Sequence, residues 1–488
     1  MPRGRIRHRP TVTIDREALA QETDATEHKS LVDRIVERVA KDIQSGKLSA
    51  GQRVHSVRQL ADECGVSRDT VVRAYDKLIV QGRLESRPGS GFFVRADRRA
   101  SWRADEPGGL LLQSEWSRFR LVRAPGDVAS TTGLGVLPPD WLDETAVGKA
   151  LRSVARASVR SLMAYPDPLG YLPLRQQLQA KLRDLQIDVP AARIMTTAGA
   201  TDALHLVALR YLSVAGTPVL VEEPGPLLLR DRLLSVGLEL AAVPRAADGP
   251  DLEVLRAHCE RYRPRFFFCN SVLHNPTSGS ISPHKAFQIL RLAEEFNLTI
   301  VEDDTYSDLM ASGPGAAATR LASLDQLQRV IYIGSFSKTL APGLRVGYVC
   351  ASQKVIDWLM VYRTVSQIAG TSLNERVVYQ LLSQGSYRHH AAQLRARLDG
   401  CRQPVIEQLA ALGCCVAHAP DAGMYVWATL PGGANATKLA SRLAEDGHLM
   451  APGELFTPNQ AYSSHMRFNI SRTLDSPALP ALARLLKA

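Results

Sequence analysis

The sequence predicts an α/β protein in two parts: a small helical domain with a two-stranded wing, and a larger domain with a mostly parallel sheet wrapped by helices. A chain of 488 residues is too long for one hydrophobic core. From about 128 to 360, apolar β-type runs alternate with helical stretches, which is typical of a parallel sheet covered by helices. Residues 1–103 hold 21 Lys and Arg against 14 Asp and Glu, seven of the whole-chain surplus of ten. This basic excess favours a polyanionic partner at the N-terminal end.

Composition narrows the class of protein further. The chain is 45% hydrophobic and 22% charged, which is ordinary for a globular protein. Its seven cysteines are scattered and lack Cys-x-x-Cys spacing, which argues against a disulfide framework or a zinc site and for a reducing compartment. No apolar stretch follows the basic start "MPRGRIRHRP", and no run approaches a membrane span. We therefore expect a cytoplasmic protein with no membrane partner and no metal.

The first hundred residues carry local signals for three helices. Residues 1–27 are polar and without period, which predicts a flexible basic tail. A second helix begins after Ser56, with Gln59 completing a capping box, and Ser67 caps a third helix, "RDTVVRAYDKLIVQ". The first helix is predicted by an apolar residue at every fourth position: Leu31, Ile35, Val39 and Ile43.

Two short β-like runs, "RLES" and "GFFV", follow the third helix and are joined by the turn "RPGS". Helix, helix, tight turn, helix and wing is the order of a winged helix-turn-helix. Arg68, Val72 and Arg73 lie away from the apolar face of the third helix, so its start can enter a major groove. Glycines in the wing, Gly89 and Gly91, allow close approach to phosphates. A helix-turn-helix used only for protein contact would leave the basic surplus unexplained.

The segment "VHSVRQLADECGVSRDTVVRAYDKLIVQGRLESRPGSGFFV" resembles the DNA-binding domain of GntR-type bacterial regulators, which we place at residues 28–97. Family members usually show Leu-Pro-Ser where this chain has Val54, His55 and Ser56. The resemblance implies promoter DNA as a partner and five side chains as its contacts: Arg58, Ser67, Arg68, Thr70 and Arg73.

The rest of the chain divides into a linker and a large domain. Residues 98–127 mix charge, proline and glycine without a period and predict the linker. The domain at 128–488 contains the β-type runs "TPVLVEE", "RFFFCN", "LTIVEDD", "RVIYIGS" and "RVGYVC", and ligands of such sheets bind beyond the carboxyl ends of the strands. Helices around "GMYVWATL" and "HMRFNIS" predict a smaller α+β lobe at about 385–488.

Loops after these strands carry a lysine and an anion site. Lys338 lies in "SFSKTLAPGLRVG", where a Pro-Gly turn brings Arg345 back towards it. In "MTTAGATDALHL" the chain passes from a strand into an apolar helix, whose first N–H groups form an anion site at a helix N-terminus. The groups available for a phosphate are Ala200, Thr201, Ser335, Ser337 and Arg345.

Two further strand ends carry polar side chains. "IVEDDTY" ends a strand with Asp303 and places Tyr306 three residues later, and "HNPTSG" supplies Asn275. An amine, a phosphate cradle, a carboxylate and donors to a ring oxygen are what a cofactor with an aldehyde, an aromatic ring and a phosphate requires. Each feature alone is common, so the prediction depends on their order and their strand-end placement. A P-loop is excluded, because no Gly-Lys-Ser/Thr follows a glycine-rich loop.

Together these segments resemble the fold-type I, class I/II aminotransferases over residues 128–488. The resemblance implies a fold-type I PLP-dependent aminotransferase-like domain with pyridoxal 5′-phosphate on Lys338, and catalytic roles for Lys338, Asp303 and Tyr306. It implies that Tyr165 in "YPDPLGYLPLR" crosses to the phosphate of a partner subunit. It also implies that Arg467 in "HMRFNIS" takes a substrate α-carboxylate.

Two positions depart from the aminotransferase pattern. Pro226 in "VEEPGPLLLR" stands where an aromatic residue usually stacks on the pyridine ring, and a prolyl ring cannot π-stack. The spacer in "NPTSG" is one residue longer than the usual Asn-Pro-Thr-Gly.

A GntR-type head joined to an aminotransferase-like body is typical of the MocR-type regulators, which form head-to-tail homodimers. The first hypothesis is a regulator that senses an amino compound, with a carboxylate favoured by Arg467, through aldimine chemistry at Lys338. Ligand binding would shift the aminotransferase-like domain between open and closed forms and thereby reorient the DNA-binding domains of the dimer. The second hypothesis is an active aminotransferase carrying a DNA-binding head, and the third is an apo repressor that senses free pyridoxal phosphate.

Overall fold

The computed structural model has two compact units, which divide between residues 112 and 113. The predicted tail at 1–27 and the predicted linker at 98–127 lie outside the described residues. The residues that the structure describes are 30–44, 47–49, 51–81, 83–87, 90–94, 129–157, 163–211, 217–310, 318–457 and 460–487.

The N-terminal unit has the predicted order of helix, helix, helix and wing. The two strands pair antiparallel, with Leu84 opposite Val94, and the first strand begins one residue later than the run "RLES" predicted. The bounds are α1 (Leu31–Gln44), α2 (Val57–Cys64), α3 (Arg68–Val80), β1 (Leu84–Arg87) and β2 (Gly91–Val94).

Local caps and one tyrosine hold this unit together. Ser56 and Gln59 form the predicted capping box at the start of α2. Tyr75 is buried in the core of the unit, and its hydroxyl donates to the His55 carbonyl at 2.8 Å. The His55 ring in turn lies 2.8 Å from the Glu63 carboxylate. These contacts fix the entry to α2, where GntR-type domains usually carry a proline.

The C-terminal unit is built on an eight-stranded sheet with strand order β3-β10-β9-β8-β7-β4-β5-β6. Five adjacent strands, β9, β8, β7, β4 and β5, run parallel to one another. Strand β10 is antiparallel to both of its neighbours, β3 and β9, and the edge strand β6 is antiparallel to β5. The mostly parallel sheet is therefore confirmed. Its strands are β3 (Ile194–Thr197), β4 (Val219–Glu223), β5 (Leu240–Ala246), β6 (Gly249–Pro250), β7 (Phe266–Cys269), β8 (Thr299–Asp303), β9 (Val330–Ser335) and β10 (Gly347–Cys350).

Helices cover both faces of this sheet, because neighbouring positions on a strand point to opposite faces. On β7, Phe267 belongs to one hydrophobic core and Phe268 to the other, and on β8 Ile300 and Val301 divide in the same way. The helices of this part are α4 (Glu144–Ala157), α5 (Leu172–Asp184), α6 (Ala200–Tyr211), α7 (Leu227–Ser235), α8 (Leu252–Tyr262), α9 (Pro283–Glu295), α10 (Leu321–Asp325), α11 (Gln353–Gln367) and α12 (Ser372–Ser383).

The smaller α+β lobe has a three-stranded antiparallel sheet of order β11-β13-β12. The predicted segments "GMYVWATL" and "HMRFNIS" supply its two longer strands. Its elements are α13 (Ser386–Ala411), β11 (Tyr425–Thr429), α14 (Ala436–Glu445), β12 (Ala451–Pro452), β13 (His465–Asn469), α15 (Ile470–Thr473) and α16 (Ala478–Lys487).

Residues 129–137 also pack on this lobe, which the sequence did not predict. The Gly133 N–H donates to the Leu449 carbonyl at 2.8 Å, and the Asn469 N–H donates to the Thr132 carbonyl at 2.8 Å. The Asn469 side-chain amide donates to the carbonyls of Leu134 and Val136. The small lobe therefore includes the first described residues of the C-terminal unit.

Several features are absent from the described residues. No helix among them is long and apolar enough to cross a membrane. Their His, Cys, Asp and Glu side chains form no group of three or more that could hold a metal ion. All seven cysteines are free thiols.

Candidate functional site

Nine of the eleven predicted site residues of the large domain meet in one cavity of about 890 Å³. The segments that line it follow β3, β4, β7, β8 and β9, at the ends where these strands stop, as expected for an open parallel sheet. Nine predicted residues line the cavity: Ala200, Thr201, Asn275, Asp303, Tyr306, Ser337, Lys338, Arg345 and Arg467.

Lys338 projects into the cavity from the loop that follows β9. Its Nζ donates to the Gly135 carbonyl at 2.6 Å. Gly135 leaves room for the Tyr425 hydroxyl beside this amine, because a Cβ at that position would lie 3.1 Å from that hydroxyl. Burial lowers the pKa of Lys338, and the charge of Arg467 also lowers it. The lowered pKa increases the share of neutral amine, which is the nucleophilic form.

Asp303, the last residue of β8, is held by the loop that follows it. The Thr305 N–H donates to Asp303 Oδ1 at 3.1 Å, and the Thr305 hydroxyl donates to the same oxygen. Oδ2 has no hydrogen-bond partner among the described residues. Burial raises the pKa of Asp303, and the two bonds from Thr305 oppose that rise. The arrangement leaves one carboxylate oxygen for a ligand.

A chain of hydrogen bonds joins Arg467, Asn275, Tyr306 and Tyr425 across the cavity. Arg467 donates to Asn275 Oδ1 at 2.8 Å and to the Gly133 carbonyl at 2.6 Å. The Asn275 amide lies 3.3 Å from the Tyr306 hydroxyl, and that hydroxyl lies 3.2 Å from the Tyr425 hydroxyl. The structure thus brings together three residues that are far apart in sequence and were predicted separately.

Arg345 and two serines form a cradle on another wall of the cavity. Arg345 donates to Ser337 Oγ at 3.2 Å and to the Ala198 carbonyl at 2.8 Å. The Ser337 N–H donates to Ser335 Oγ at 3.2 Å, so Ser335 supports the cradle although it does not line the cavity. Gly199 has a φ of 83°, and a Cβ there would lie 2.6 Å from Arg345 Nη2. Glycine is therefore required for this close approach.

The N-terminus of α6 opens onto the same cavity. The helix begins at Ala200, and both Ala200 and Thr201 line the cavity. The first N–H groups of a helix lack intrahelical partners and attract anions. Helix terminus, serines and arginine together form an anion site of the type that a phosphate requires.

Both departures from the aminotransferase pattern have structural consequences. Pro226 lines the cavity immediately before α7, so a saturated ring stands where an aromatic ring is usual. The extra residue of "NPTSG" is Ser278, in the left-handed region with φ 58°. Its hydroxyl donates to the Tyr425 carbonyl at 3.0 Å and accepts from the Tyr425 N–H at 3.3 Å. The longer turn therefore ties the Asn275 loop to β11.

Tyr165 is not part of this cavity. Its side chain is 81% exposed, and it does not line the cavity within the single described chain. An exposed position is expected of a residue that contacts a partner subunit. Because the structure contains a single chain, the contact of Tyr165 with the partner's phosphate stays a prediction.

Sequence reasoning missed several residues that line or contact the cavity. Gly135 belongs to segment 129–137, whose position was not predicted. It contacts Lys338 through its backbone carbonyl, which every residue possesses, so no sequence pattern could identify it. Tyr425 lies in a segment that was predicted only as part of the small lobe. Thr305 and Arg232 also line the cavity. Thr305 lies within "IVEDDTY" but was given no role there, and Arg232 belongs to no motif that the chemistry demanded.

The DNA-binding candidates lie on the outer face of α2 and α3. Arg58, Arg68 and Arg73 are exposed, as a helix that enters a groove requires. Ser67 and Thr70 also serve the helix itself: Ser67 Oγ accepts from the Thr70 N–H at 3.1 Å and lies 2.8 Å from the Thr70 hydroxyl. The capping bond orients both hydroxyls at the start of α3.

Arg53, which precedes α2 and forms a β-bridge to Phe93 of the wing, was missed by the sequence reasoning. Gly91 has a φ of 102°, and a Cβ there would lie 3.2 Å from Arg53 Nε. Gly91 therefore lets an exposed arginine lie against the wing. Gly89 lies outside the described residues.

Two protein families match separate parts of this chain. Residues 133–484 match the family of class I and II aminotransferases, and residues 31–94 match the gntR family of bacterial regulatory proteins. Among curated proteins, the HTH-type transcriptional regulator YisV of Bacillus subtilis is 26% identical over 91% of this chain and 93% of its own length.

Enzymes also resemble the large domain. The 2-aminoadipate transaminase of Thermus thermophilus is 29% identical over 73% of this chain and 88% of its own length. The crystal structure of LysN, the α-aminoadipate aminotransferase of the same species in complex with N-(5′-phosphopyridoxyl)-L-leucine, is 27% identical and has a TM-score of 0.67. It covers 76% of this chain and 94% of its own.

Proposed function

The chain belongs to the class I and II aminotransferase family and carries a gntR-family domain, which is the combination found in MocR-type regulators. From this premise we propose that an amino compound bound beside Lys338 changes the affinity of the protein for promoter DNA. The observation that carries the proposal is the single cavity shared by Lys338, Asp303, the anion cradle and Arg467, in a chain with a DNA-binding domain. We assign the two domains to residues 28–97 and 128–488, with the linker at 98–127.

The cofactor is pyridoxal 5′-phosphate, and the residues of the cavity fit it. A Cβ at Gly199 would fill the anion cradle, Asp303 keeps one carboxylate oxygen unbonded, and Lys338 offers an amine of lowered pKa. When bound, pyridoxal phosphate supplies an aldehyde that condenses reversibly with primary amines and a ring that withdraws electrons. We assign the phosphate to Ala200, Thr201, Ser335, Ser337 and Arg345, the ring nitrogen to Asp303, and the ring oxygen to Tyr306 and Asn275.

Two residues of the chain control protons in the cavity. Lys338 exchanges a proton readily, because burial has lowered the pKa of its amine. Burial raises the pKa of Asp303, and the two bonds from Thr305 oppose that rise by favouring the ionised form. An ionised carboxylate at this position keeps a neighbouring ring nitrogen protonated.

Arg467 is the group that selects a carboxylate. Its guanidinium is buried, and its Nε is a buried donor without a hydrogen-bond partner. A buried donor that lacks a partner is costly, and a carboxylate removes that cost while forming a charge-assisted bond. The effector that we propose is therefore an amine with a carboxylate.

A second candidate function is transamination. The relatives of known activity are aminotransferases, and the lysine, the aspartate and the carboxylate-binding arginine are all present in the cavity. Pro226 favours the regulator, because without an aromatic ring on the cofactor the electron sink is less well positioned for turnover.

One experiment distinguishes the regulator from the aminotransferase. Purified full-length protein loaded with pyridoxal phosphate is given single amino acids, and both keto-acid release and affinity for promoter DNA are measured. A regulator changes its DNA affinity without steady keto-acid release. Steady release with unchanged DNA affinity identifies an aminotransferase, and DNA binding that depends on pyridoxal phosphate alone identifies a sensor of the free cofactor.

We also propose a homodimer. Tyr165 and Met163 are 81% and 78% exposed, and α11 exposes Val361 and Val365 at 59% and 85%. A second copy of the chain would cover these apolar side chains and bring Tyr165 to the partner's phosphate site. Paired half-sites in the promoter follow from a dimer with two heads.

Arg68→Ala should weaken DNA binding by about tenfold, the effect typical of one arginine contact to a base edge or a phosphate. Binding of pyridoxal phosphate should not change, because the head and the cavity belong to separate units. Fluorescence anisotropy with promoter DNA, at several salt concentrations, measures the effect. Arg68→Lys is the matched control: it retains a phosphate contact but loses the bidentate contact to guanine. Loss of both DNA and cofactor binding in Arg68→Ala would indicate misfolding instead.

Thr305→Val should weaken the affinity for pyridoxal phosphate by about tenfold, because it removes a hydrogen bond to a charged group. Loss of the hydroxyl raises the pKa of Asp303 further, so less of it is ionised at neutral pH, and raising the pH should restore part of the affinity. Titration with pyridoxal phosphate at two pH values measures both effects. Thr305→Ser, which retains the hydroxyl, should behave as the wild type; equal loss in both variants would contradict the role of the hydroxyl.

A further inference from the structure

Arg232 is a third arginine in the cavity, and neither the sequence motifs nor the proposed function gives it a role. It lies on α7, one turn beyond Leu228, and lines the cavity together with Leu204, Leu228 and Leu229. These leucines make the surroundings of the guanidinium apolar. A cation in such a place needs an explanation.

The other two arginines of the cavity are held by the protein, and Arg232 is not. Arg467 donates to Asn275 and to a backbone carbonyl, and Arg345 donates to Ser337 and to a backbone carbonyl. Among the described residues, no hydrogen bond or ion pair reaches the Arg232 guanidinium, and its Nε is a buried donor without a partner.

Asp202 acts on Arg232 through space but is not that partner. Its negative charge favours the protonated guanidinium, and no hydrogen bond or ion pair joins the two side chains among the described residues. The Asp202 carboxylate instead accepts from the Ala198 N–H at 2.9 Å and from the Gln367 amide at 3.0 Å. The N–H groups of Arg232 are thus left for a ligand.

A second unpartnered group lies close to this arginine. His205 follows Thr201 by one turn of α6, and its Nδ1 is buried without a hydrogen-bond partner. Burial lowers the pKa of His205, and the charge of Arg232 lowers it further, so the imidazole is neutral. His205 does not line the cavity, so the N–H donors that suit an anionic acceptor there are those of the Arg232 guanidinium.

We infer that Arg232 binds an anionic group at the end of the effector's side chain, so that the effector is an α-amino acid with an acidic side chain. This inference rests on the proposed function, because it takes Arg467 as the site of the α-carboxylate. The leucines beside Arg232 then pack on the methylene groups of the side chain, and the ligand neutralises a charge that the protein leaves unpaired.

The test compares each acid with its amide, because the two differ in charge and hardly in shape. Full-length protein loaded with pyridoxal phosphate is titrated with L-glutamate, L-glutamine, L-aspartate and L-asparagine, and the change in cofactor absorbance gives each dissociation constant. Wild-type protein should bind at least one acid about tenfold or more tightly than its amide, as expected of a charge pair removed from water.

Arg232→Gln should remove this preference by weakening the acid and leaving the amide within about twofold, because the amide makes no charged contact. Arg230→Gln is the matched control. Arg230 lies on the same helix and lines a separate cavity of about 220 Å³, so the preference should survive in that variant.

Three results would overturn the inference: no preference in the wild type, equal weakening of acid and amide in Arg232→Gln, or a loss of pyridoxal phosphate affinity in that variant. The last would place Arg232 in the phosphate site. A preserved acid preference with no effect of the amino acid on DNA binding would instead overturn the proposed function and leave the inference standing. An absence of any absorbance response would overturn both.

Discussion

Lys338→Ala should abolish the absorbance band that marks pyridoxal phosphate held covalently by the protein. Lys338 is the amine that projects into the cavity, at 2.6 Å from the Gly135 carbonyl, and it is the one lysine among the described residues that line the cavity. The phosphate cradle at Arg345 and Ser337 is untouched by the change, so non-covalent binding of the cofactor should persist with lower affinity. Absorbance of the purified variant after incubation with pyridoxal phosphate measures the loss.

Lys354→Ala is a suitable control for this variant, because Lys354 is an exposed lysine on α11 and does not line the cavity. The control should retain the band. A band of unchanged intensity in Lys338→Ala would show that another amine holds the cofactor, and the assignment of the site would be wrong.

The same variant makes a prediction about stability and pH in the protein without cofactor. Burial lowers the pKa of Lys338 in the folded state, so the unfolded chain binds more protons in the window between the lowered and the ordinary pKa. Stability of the wild type therefore rises with pH across that window. Lys338→Ala lacks this contribution, so its thermal stability relative to the wild type should be greatest below that window and should decline as the pH rises through it.

Local signals in the sequence predicted much of the fold. The capping box of Ser56 and Gln59, the apolar face of α3 and the buried strands are determined by residues close to one another in the chain, and the structure reproduces them. The antiparallel direction of β10 was not predicted, although a signal exists. The segment 336–346 between β9 and β10 holds one short turn, and a parallel pair needs a longer crossover.

Contacts between distant parts of the chain could not be predicted from the sequence. Residues 129–137 have no period and no motif, and their place follows from bonds to Leu449 and Asn469 more than 300 residues away. Gly135 enters the site through its carbonyl, which no side-chain pattern can signal. Tyr425 reaches Tyr306 because β11 packs against the loop with Ser278. The sequence could name candidates only where a motif indicated chemistry, and Gly135 and Tyr425, which packing alone brings to the cavity, carried no such signal.

Arg467→Gln should remove the response to a carboxylate-bearing amino acid and leave the cofactor in place. Truncating one partner of a buried charge pair costs about 2–5 kcal/mol, which corresponds to a loss of affinity of about 30-fold or more. Arg467 is buried, and its Nε has no hydrogen-bond partner among the described residues. The dissociation constant of the amino acid, measured through the cofactor absorbance, and the change in affinity for promoter DNA should both show the loss.

The competing explanation is structural, because Arg467 also supports residues 129–137 through the Gly133 carbonyl. Arg472→Gln separates the two. Arg472 donates to the carbonyls of Val136 and Leu137 and to the Thr131 hydroxyl, and it does not line the cavity. If Arg467 acts by binding the carboxylate, only Arg467→Gln loses the response, and simple amines without a carboxylate bind both variants equally. If both variants lose it to the same extent, the segment rather than the guanidinium determines effector binding, and the carboxylate would have to be held by another residue of the cavity.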